Sequence, residues 1–179
     1  MCRYAADRGH VEAVFIQYGQ PSIKEEHDAS QRFCRDAGIR LHVRNVDVLG
    51  LEDMHAPAGQ RGPRIVPVRN LLFLSVAANL AASIGCQEVW LGATAEDKMN
   101  YPDCRSQFIH NADAALSAYG LKARAPLLNR TRADMIDYAK SSGWNMTGAW
   151  SCYRPVSPGM PCMACDSCLQ PVSRSDLAC

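Results

Sequence analysis

Four cysteines near the C-terminus, Cys152, Cys162, Cys165 and Cys168, follow the spacing C-x9-C-x2-C-x2-C. Two overlapping C-x2-C turns and one upstream thiolate can close a tetrahedral sulfur cage, which structural zinc demands, with Zn–S distances of about 2.3 Å. Pro155, Pro158, Gly159 and Pro161 lie between the first cysteine and the others, so the segment is expected to turn, not to form a helix or strand. Zinc is the favoured occupant. A four-thiolate cage also accepts an iron–sulfur cluster, and two disulfides or four thiols packed as small hydrophobes are the blander alternatives.

Three further segments carry groups suited to a ligand. Tyr18-Gly19-Gln20 offers an aromatic ring that can stack on a base and a glycine that lets backbone approach, against the alternative of a plain turn. Arg69 and Asn70 open an apolar run, where a guanidinium and free backbone N–H groups would suit phosphate or carboxylate; an ordinary helix start is the competing reading. The stretch Ala95-Glu96-Asp97-Lys98-Met99-Asn100-Tyr101-Pro102-Asp103-Cys104-Arg105 is dense in polar groups. Asp97 or Asp103 could hold magnesium or a substrate amine, unless both merely cap turns and a helix. Cys104 beside Arg105 raises the lesser option of an acidified nucleophile. His10, His27, His42, His55 and His110 show no metal spacing and are expected on surfaces or in loops.

These groups need a frame, and the apolar periodicity supplies one. Val11 to Ile16 reads as a strand, Ile23 to Ala37 as a helix ended by Gly38, and Ile39 to Val46 as a second strand. Residues 49 to 64 hold three Gly and two Pro and are expected to form an exposed loop that could cover a site. Asn70 to Ile84 is apolar nearly all round and ends at Gly85, as a buried helix would. Glu88 to Ala93 follows as a core strand, 105 to 118 as a helix, and 123 to 128 as a short extended piece. Thr131-Arg132-Ala133-Asp134 has the form of a capping box opening a helix to Ser142. Alternating strands and helices imply an α/β fold with a parallel, doubly wound sheet, whose ligands bind beyond the carboxyl ends of the strands.

Composition narrows the partners. The chain of 179 residues has 47 % hydrophobic and 21 % charged residues and a formal net charge of +1, so no basic stripe supports direct nucleic-acid binding. Small molecules are the expected partners, with a homodimer as an option. No secretory leader and no apolar run of about 18 residues is present, so a cytoplasmic, non-membrane location is expected. Nine cysteines without such a leader favour thiol and metal chemistry over a disulfide framework.

Taken together, Tyr18-Gly19-Gln20, then Val66-Pro67-Val68-Arg69-Asn70-Leu71-Leu72-Phe73-Leu74, then Tyr101-Pro102-Asp103-Cys104-Arg105, then the four cysteines resemble the 7-cyano-7-deazaguanine (preQ0) synthase family of queuosine biosynthesis. The order and separation of the blocks agree over roughly residues 10 to 170. The resemblance implies an adenine-nucleotide α-hydrolase-like fold of the PP-loop ATP pyrophosphatase type. It also implies a ligase that uses ATP, with Mg2+, to activate the carboxylate of 7-carboxy-7-deazaguanine, after which ammonia converts the acid through an amide to the nitrile. Zinc would be held by Cys152, Cys162, Cys165 and Cys168. Asp97, Asp103 and Arg105 are the candidate catalytic residues, and Tyr18, Gly19, Gln20, Arg69, Asn70 and Tyr101 the candidates for substrate and nucleotide.

The chain also departs from the family pattern. It carries no Ser-Gly-Gly-x-Asp-Ser phosphate loop, and Met1 to Arg8 align with the last turns of the helix that follows that loop. The expectation is an α/β domain over 1–148 lacking its first strand, and a zinc-binding segment over 149–179. Two explanations compete: a shortened reading frame or fragment, or a homologue that retains the deazaguanine pocket as an inactive zinc-bearing module. Other departures are Pro21-Ser22 in place of basic residues, Val68 in place of glycine, and Met99-Asn100 in place of Ser-Gly. A related enzyme acting in tRNA thiolation is a third possibility, disfavoured by the neutral charge.

Overall fold

The computed structural model describes residues 1–51, 55, 65–144 and 146–169, apart from the side chain of Arg3. Most of the 49–64 loop expected from sequence therefore lies outside the described residues. The chain divides into two compact units, Met1–Val66 with Ile136–Cys179, and Pro67–Met135.

In the first unit a short helix α1 (Cys2–Ala6) precedes β1 (Glu12–Gln17), α2 (Ile23–Asp36) and β2 (Arg40–Asn45). Strands β1 and β2 pair in parallel from Glu12↔Arg40 to Gln17↔Asn45. Helix α2 has Glu25 and Glu26 in its first turn and Arg35 in its last, charges that complement the helix dipole. Its end is set by Gly38, at φ +67, which lets the Ile39 N–H reach back to the Cys34 carbonyl at 2.8 Å. Near the C-terminal side lie α6 (Arg132–Ser141), which spans the boundary between the units, and the single turn α7 (Asp166–Leu169).

In the second unit α3 (Arg69–Ile84), β3 (Glu88–Trp90), α4 (Ala95–Asn100), a 3-10 turn (Pro102–Cys104), α5 (Ser106–Ser117) and β4 (Lys122–Arg124) follow in order. Strands β3 and β4 are again parallel, with Val89 opposite Ala123. A central buried cluster joins Leu74, Ala78 and Ala81 of α3, Val89 of β3, Ala112 of α5, and Leu121 and Ala123 at β4. Positions 74, 78 and 81 share one helix face at i, i+4 and i+7, which is why that stripe is buried. Asn70 and Leu80 are buried as well, but other positions of α3 are open, with Leu71 and Ile84 45 % and 40 % exposed. The expectation of an all-round buried helix is corrected accordingly: apolar residues on every face do not say which faces find a neighbour.

The polar stretch from residue 95 begins as α4, started by a reciprocal capping box between Thr94 and Asp97. Helix α6 is started the same way, with Thr131 N–H donating to Asp134 at 2.8 Å and Asp134 N–H donating to Thr131 Oγ1 at 3.1 Å, as its sequence predicts.

The histidines are less peripheral than expected. His42 on β2 is largely buried and bonds the Glu12 carboxylate at 2.7 Å, while His27 packs on Phe15 with ring centroids 5.3 Å apart. The hydrogen bond to His42, helped by His10, holds the Glu12 carboxyl below its ordinary value of 4.5. A carboxyl depressed in the folded state adds stability above its unfolded value and loses it as pH falls through the folded value. Acidification below about pH 4.5 is therefore expected to lower the melting temperature more steeply in the native chain than in Glu12→Gln. Parallel thermal melts across that range check it, and identical slopes would count against this pair.

Candidate functional site

The four cysteines converge. Their Sγ atoms all lie within 4.8 Å of one another, with Cys162 and Cys168 at 4.0 Å. Cys152, Cys165 and Cys168 are buried, and Trp150 and Tyr153 pack around them. Cys165 and Cys168 are brought to one side by the turn of α7, where Leu169 N–H bonds the Cys165 carbonyl at 3.0 Å. Backbone amides point at sulfur: Arg154 N–H and Cys162 N–H donate to Cys152 Sγ at 3.3 and 3.2 Å, and Cys165 N–H to Cys162 Sγ at 3.3 Å. Such donors favour the thiolate, the form that ligates metal. The Cys152 thiol holds Cys165 down to about 4, and the same contact pushes Cys152 up. Burial raises Cys168 to about 12. The described donor set is all sulfur, closely spaced and dry, and it fits a thiolate-bound metal.

At the end of β1, Tyr18, Gly19 and Gln20 form a tightly braced turn. Gln20 is 2 % exposed, its Oε1 accepts from Tyr18 N–H at 2.9 Å, and its Nε2 donates to Ile16 O at 3.3 Å and to Glu26 at 3.1 Å. Ser22, wholly buried where a basic residue was the family expectation, donates to the same Glu26 at 2.6 Å. Gln20 thus shapes the turn from inside. Gly19 sits at φ +88, and a Cβ there would meet Leu51 at 3.0 Å, so both the backbone angle and the space call for glycine.

In the second unit the Arg69-Asn70 and Tyr101 to Arg105 blocks meet. Asn70 N–H, at the start of α3, donates to Asp103 Oδ2 at 3.3 Å, and Asn70 Nδ2 donates to the Asp103 carbonyl at 3.5 Å and to Cys104 Sγ at 3.3 Å. Asp103 therefore satisfies an amide at the α3 N-terminus from another element. Arg69 lies over the Phe73 ring at 5.8 Å, and Arg105, exposed, reaches the Lys98 carbonyl at 3.4 Å. Tyr101 packs against the cluster of Ala93, Cys104 and Leu128. Asp97 uses Oδ2 for the Thr94 cap, at 2.8 Å from both Thr94 N and Oγ1. Burial, then the carboxylates of Asp103 and Asp97, push the Cys104 thiol up to about 11, so the option of an acidified nucleophile is withdrawn.

The sequence profile described as "Queuosine biosynthesis protein QueC" matches residues 1–173. The chain belongs to the QueC family. Relatives named 7-cyano-7-deazaguanine synthase include one from Rhizorhabdus wittichii, 35 % identical over 175 residues, covering 87 % of this chain and 76 % of the relative. Another, from Erythrobacter litoralis, is 34 % identical and covers 92 % and 77 %; one from Archaeoglobus fulgidus is 31 % identical and covers 93 % and 76 %. Among solved structures, the U34-tRNA thiolase NcsA from Methanococcus maripaludis with its [4Fe-4S] cluster superposes with a TM-score of 0.52 at 16 % identity, over 76 % of this chain and 48 % of that one. That likeness shows a shared α/β fold and no more.

One departure from the QueC-family pattern has a structural answer. Val68, where the resemblance led to an expectation of glycine, keeps the left-handed conformation glycine would take, at φ 58 and ψ 16, as the residue before α3. A β-branched side chain in that region is strained, and Val68 is 64 % exposed, so little burial compensates. Replacement by glycine removes the strain but enlarges the unfolded ensemble. Val68→Gly in this QueC-family chain is expected to stabilise by about 1 kcal/mol, raising Tm by about 2–4 °C. A fall in Tm would show that Val68 is not strained.

Proposed function

We propose that this QueC-family chain acts in the ATP-dependent conversion of 7-carboxy-7-deazaguanine and ammonia to the nitrile preQ0, as a C–N bond-forming ligase. The observation that carries the reading is the family match over residues 1–173, in which the four residue blocks stand in order. Two fates of the carboxylate oxygens must be handled: one leaves with the adenylate when ammonia forms the amide, and the other must leave when the amide becomes the nitrile. Both departures call for cationic and N–H donors near developing negative charge.

The positions of the groups support a proposed set of roles. Arg69 is placed to orient phosphate or carboxylate at the α3 N-terminus, and exposed Arg105 offers a second cation beside it in sequence to the Tyr-Pro-Asp-Cys block. Asp97 and Asp103 each commit one oxygen to a cap and leave the other carboxylate oxygen to substrate or Mg2+. Asn70 fixes the block by its contacts to Asp103 and Cys104. Tyr101 supplies an aromatic face to the substrate side, and Tyr18 and Gly19, with Gln20 behind them, form the nucleotide-side turn.

We assign a single zinc ion to Cys152, Cys162, Cys165 and Cys168, where it would pin the segment. Sulfurs about 2.3 Å from one central ion lie about 3.8 Å apart, close to the 4.0 Å between Cys162 and Cys168. A cubane cluster would set each sulfur on a different iron and spread them further. Elemental analysis is expected to give one zinc per chain and no stoichiometric iron; Cys165→Ser should lose it and unravel the segment, since structural zinc is worth about 10–16 kcal/mol in small peptides. Iron with a visible cluster absorbance would replace this assignment.

Turnover is tested by supplying 7-carboxy-7-deazaguanine, ATP, Mg2+ and ammonia to the chain, both alone and extended upstream by a Ser-Gly-Gly-x-Asp-Ser strand and loop, with the nitrile read by mass spectrometry. Nitrile from either form supports the assignment. Ligand binding without turnover in both would instead favour an inactive zinc-bearing binding module.

A further inference from the structure

We infer that the four-cysteine segment positions the Tyr18–Gln20 turn through Arg154 and His55, so that metal loading and order at this turn are coupled. This rests on the metal assignment above and goes beyond it: the metal would then serve the nucleotide side as well as the tail. The contacts form a chain within the first unit. Arg154 is anchored by its backbone N–H on Cys152 Sγ at 3.3 Å, and its Nη1 donates to the His55 carbonyl at 2.6 Å. His55 Nε2 lies 3.2 Å from the Gly19 carbonyl, so the ring must carry its proton there to donate. His55 is itself held in a turn, its N–H bonding the Leu51 carbonyl at 3.1 Å, and Leu51 is the residue a Cβ on Gly19 would strike.

A second contact reaches the same turn from its other side. Gly159, between Cys152 and Cys162, donates its N–H to Glu25 Oε1 at 3.0 Å in the first turn of α2. The next residue, Glu26, accepts from both Gln20 and Ser22. The Tyr18–Gln20 turn is thus held through Gln20 and Glu26 and through His55, and both sets of contacts lead back to the loop between the first and second cysteines.

Coupling needs an element with two states that both sites bias. The cysteine segment supplies it, since a metal-stapled loop is ordered when loaded and loses its frame when the cation leaves. Arg154 and His55 ligate nothing themselves; they are positioning residues. Reciprocity requires that a ligand which orders the turn also tighten the metal.

Hydrogen exchange of the full chain read by mass spectrometry, on the peptide covering residues 17–22, tests this. In Arg154→Ala and in His55→Ala, exchange there is expected to quicken about fivefold, the factor set by one lost hydrogen bond of ordinary strength, with metal content unchanged. His55→Gln, which keeps a donor at the same reach, should restore the native rate. Chelation of the native chain should quicken the same peptide, and should quicken it by a smaller factor in His55→Ala, where the Gly159–Glu25 contact alone still joins the loop to the turn. If chelation releases the metal and melts residues 150–169 while 17–22 exchange as before, or if both alanine variants leave 17–22 unchanged, the coupling is overturned. Failure of the metal assignment shows separately, as a purified native chain without metal.

Discussion

Like charges buried side by side repel, and four sulfurs drawn within 4.8 Å, three of them buried, meet that constraint once they ionise to thiolates. A carboxylate dyad solves it by sharing a proton; a quartet of sulfurs solves it with a cation. The residues around the quartet are consistent with the second solution. Three backbone amides are turned toward sulfur, and the segment that bears them has only one short helical turn of its own. With so little regular structure between residues 146 and 169, the sulfurs take the part that an apolar core plays elsewhere in the chain.

The second unit is organised by a different bond, one between two motifs. The start of α3 carries amides with no partner inside the helix, and Asp103, some thirty residues on, turns back to meet one of them. Asn70 returns the contact to the backbone of Asp103 and to Cys104, and with 7 % exposure it does so nearly out of reach of solvent. Burial of that polar knot is tolerated because its members satisfy one another. A conspicuous block such as Tyr-Pro-Asp-Cys-Arg thus serves the frame: part of its polarity is consumed in holding Asn70 and the start of α3.

Much of this was legible in the residues. The strands near 12–17 and 40–45, the long helix from 69, and the helix from 132 follow from apolar period and from Gly and capping signals, and the convergence of the four cysteines follows from their spacing. The misses have physical causes. Helix α4 is only six residues long, too short to display a period, although Thr94-x-x-Asp97 is the same capping signature that was recognised at Thr131. The half-exposed face of α3 was hidden because Leu, Ala and Ile look alike on either side of a helix. His55 and Arg154 carry no motif at all; their roles arise from tertiary proximity across 99 residues of chain.

Val68 takes a torsion angle that glycine would adopt without a Cβ penalty. Two residues beyond the bend, Asn70 is tied to Asp103 and Cys104, which fixes the start of α3 next to it. A bend of this kind at the start of α3 does not require glycine, so the identity of residue 68 alone says little about the path of the main chain there.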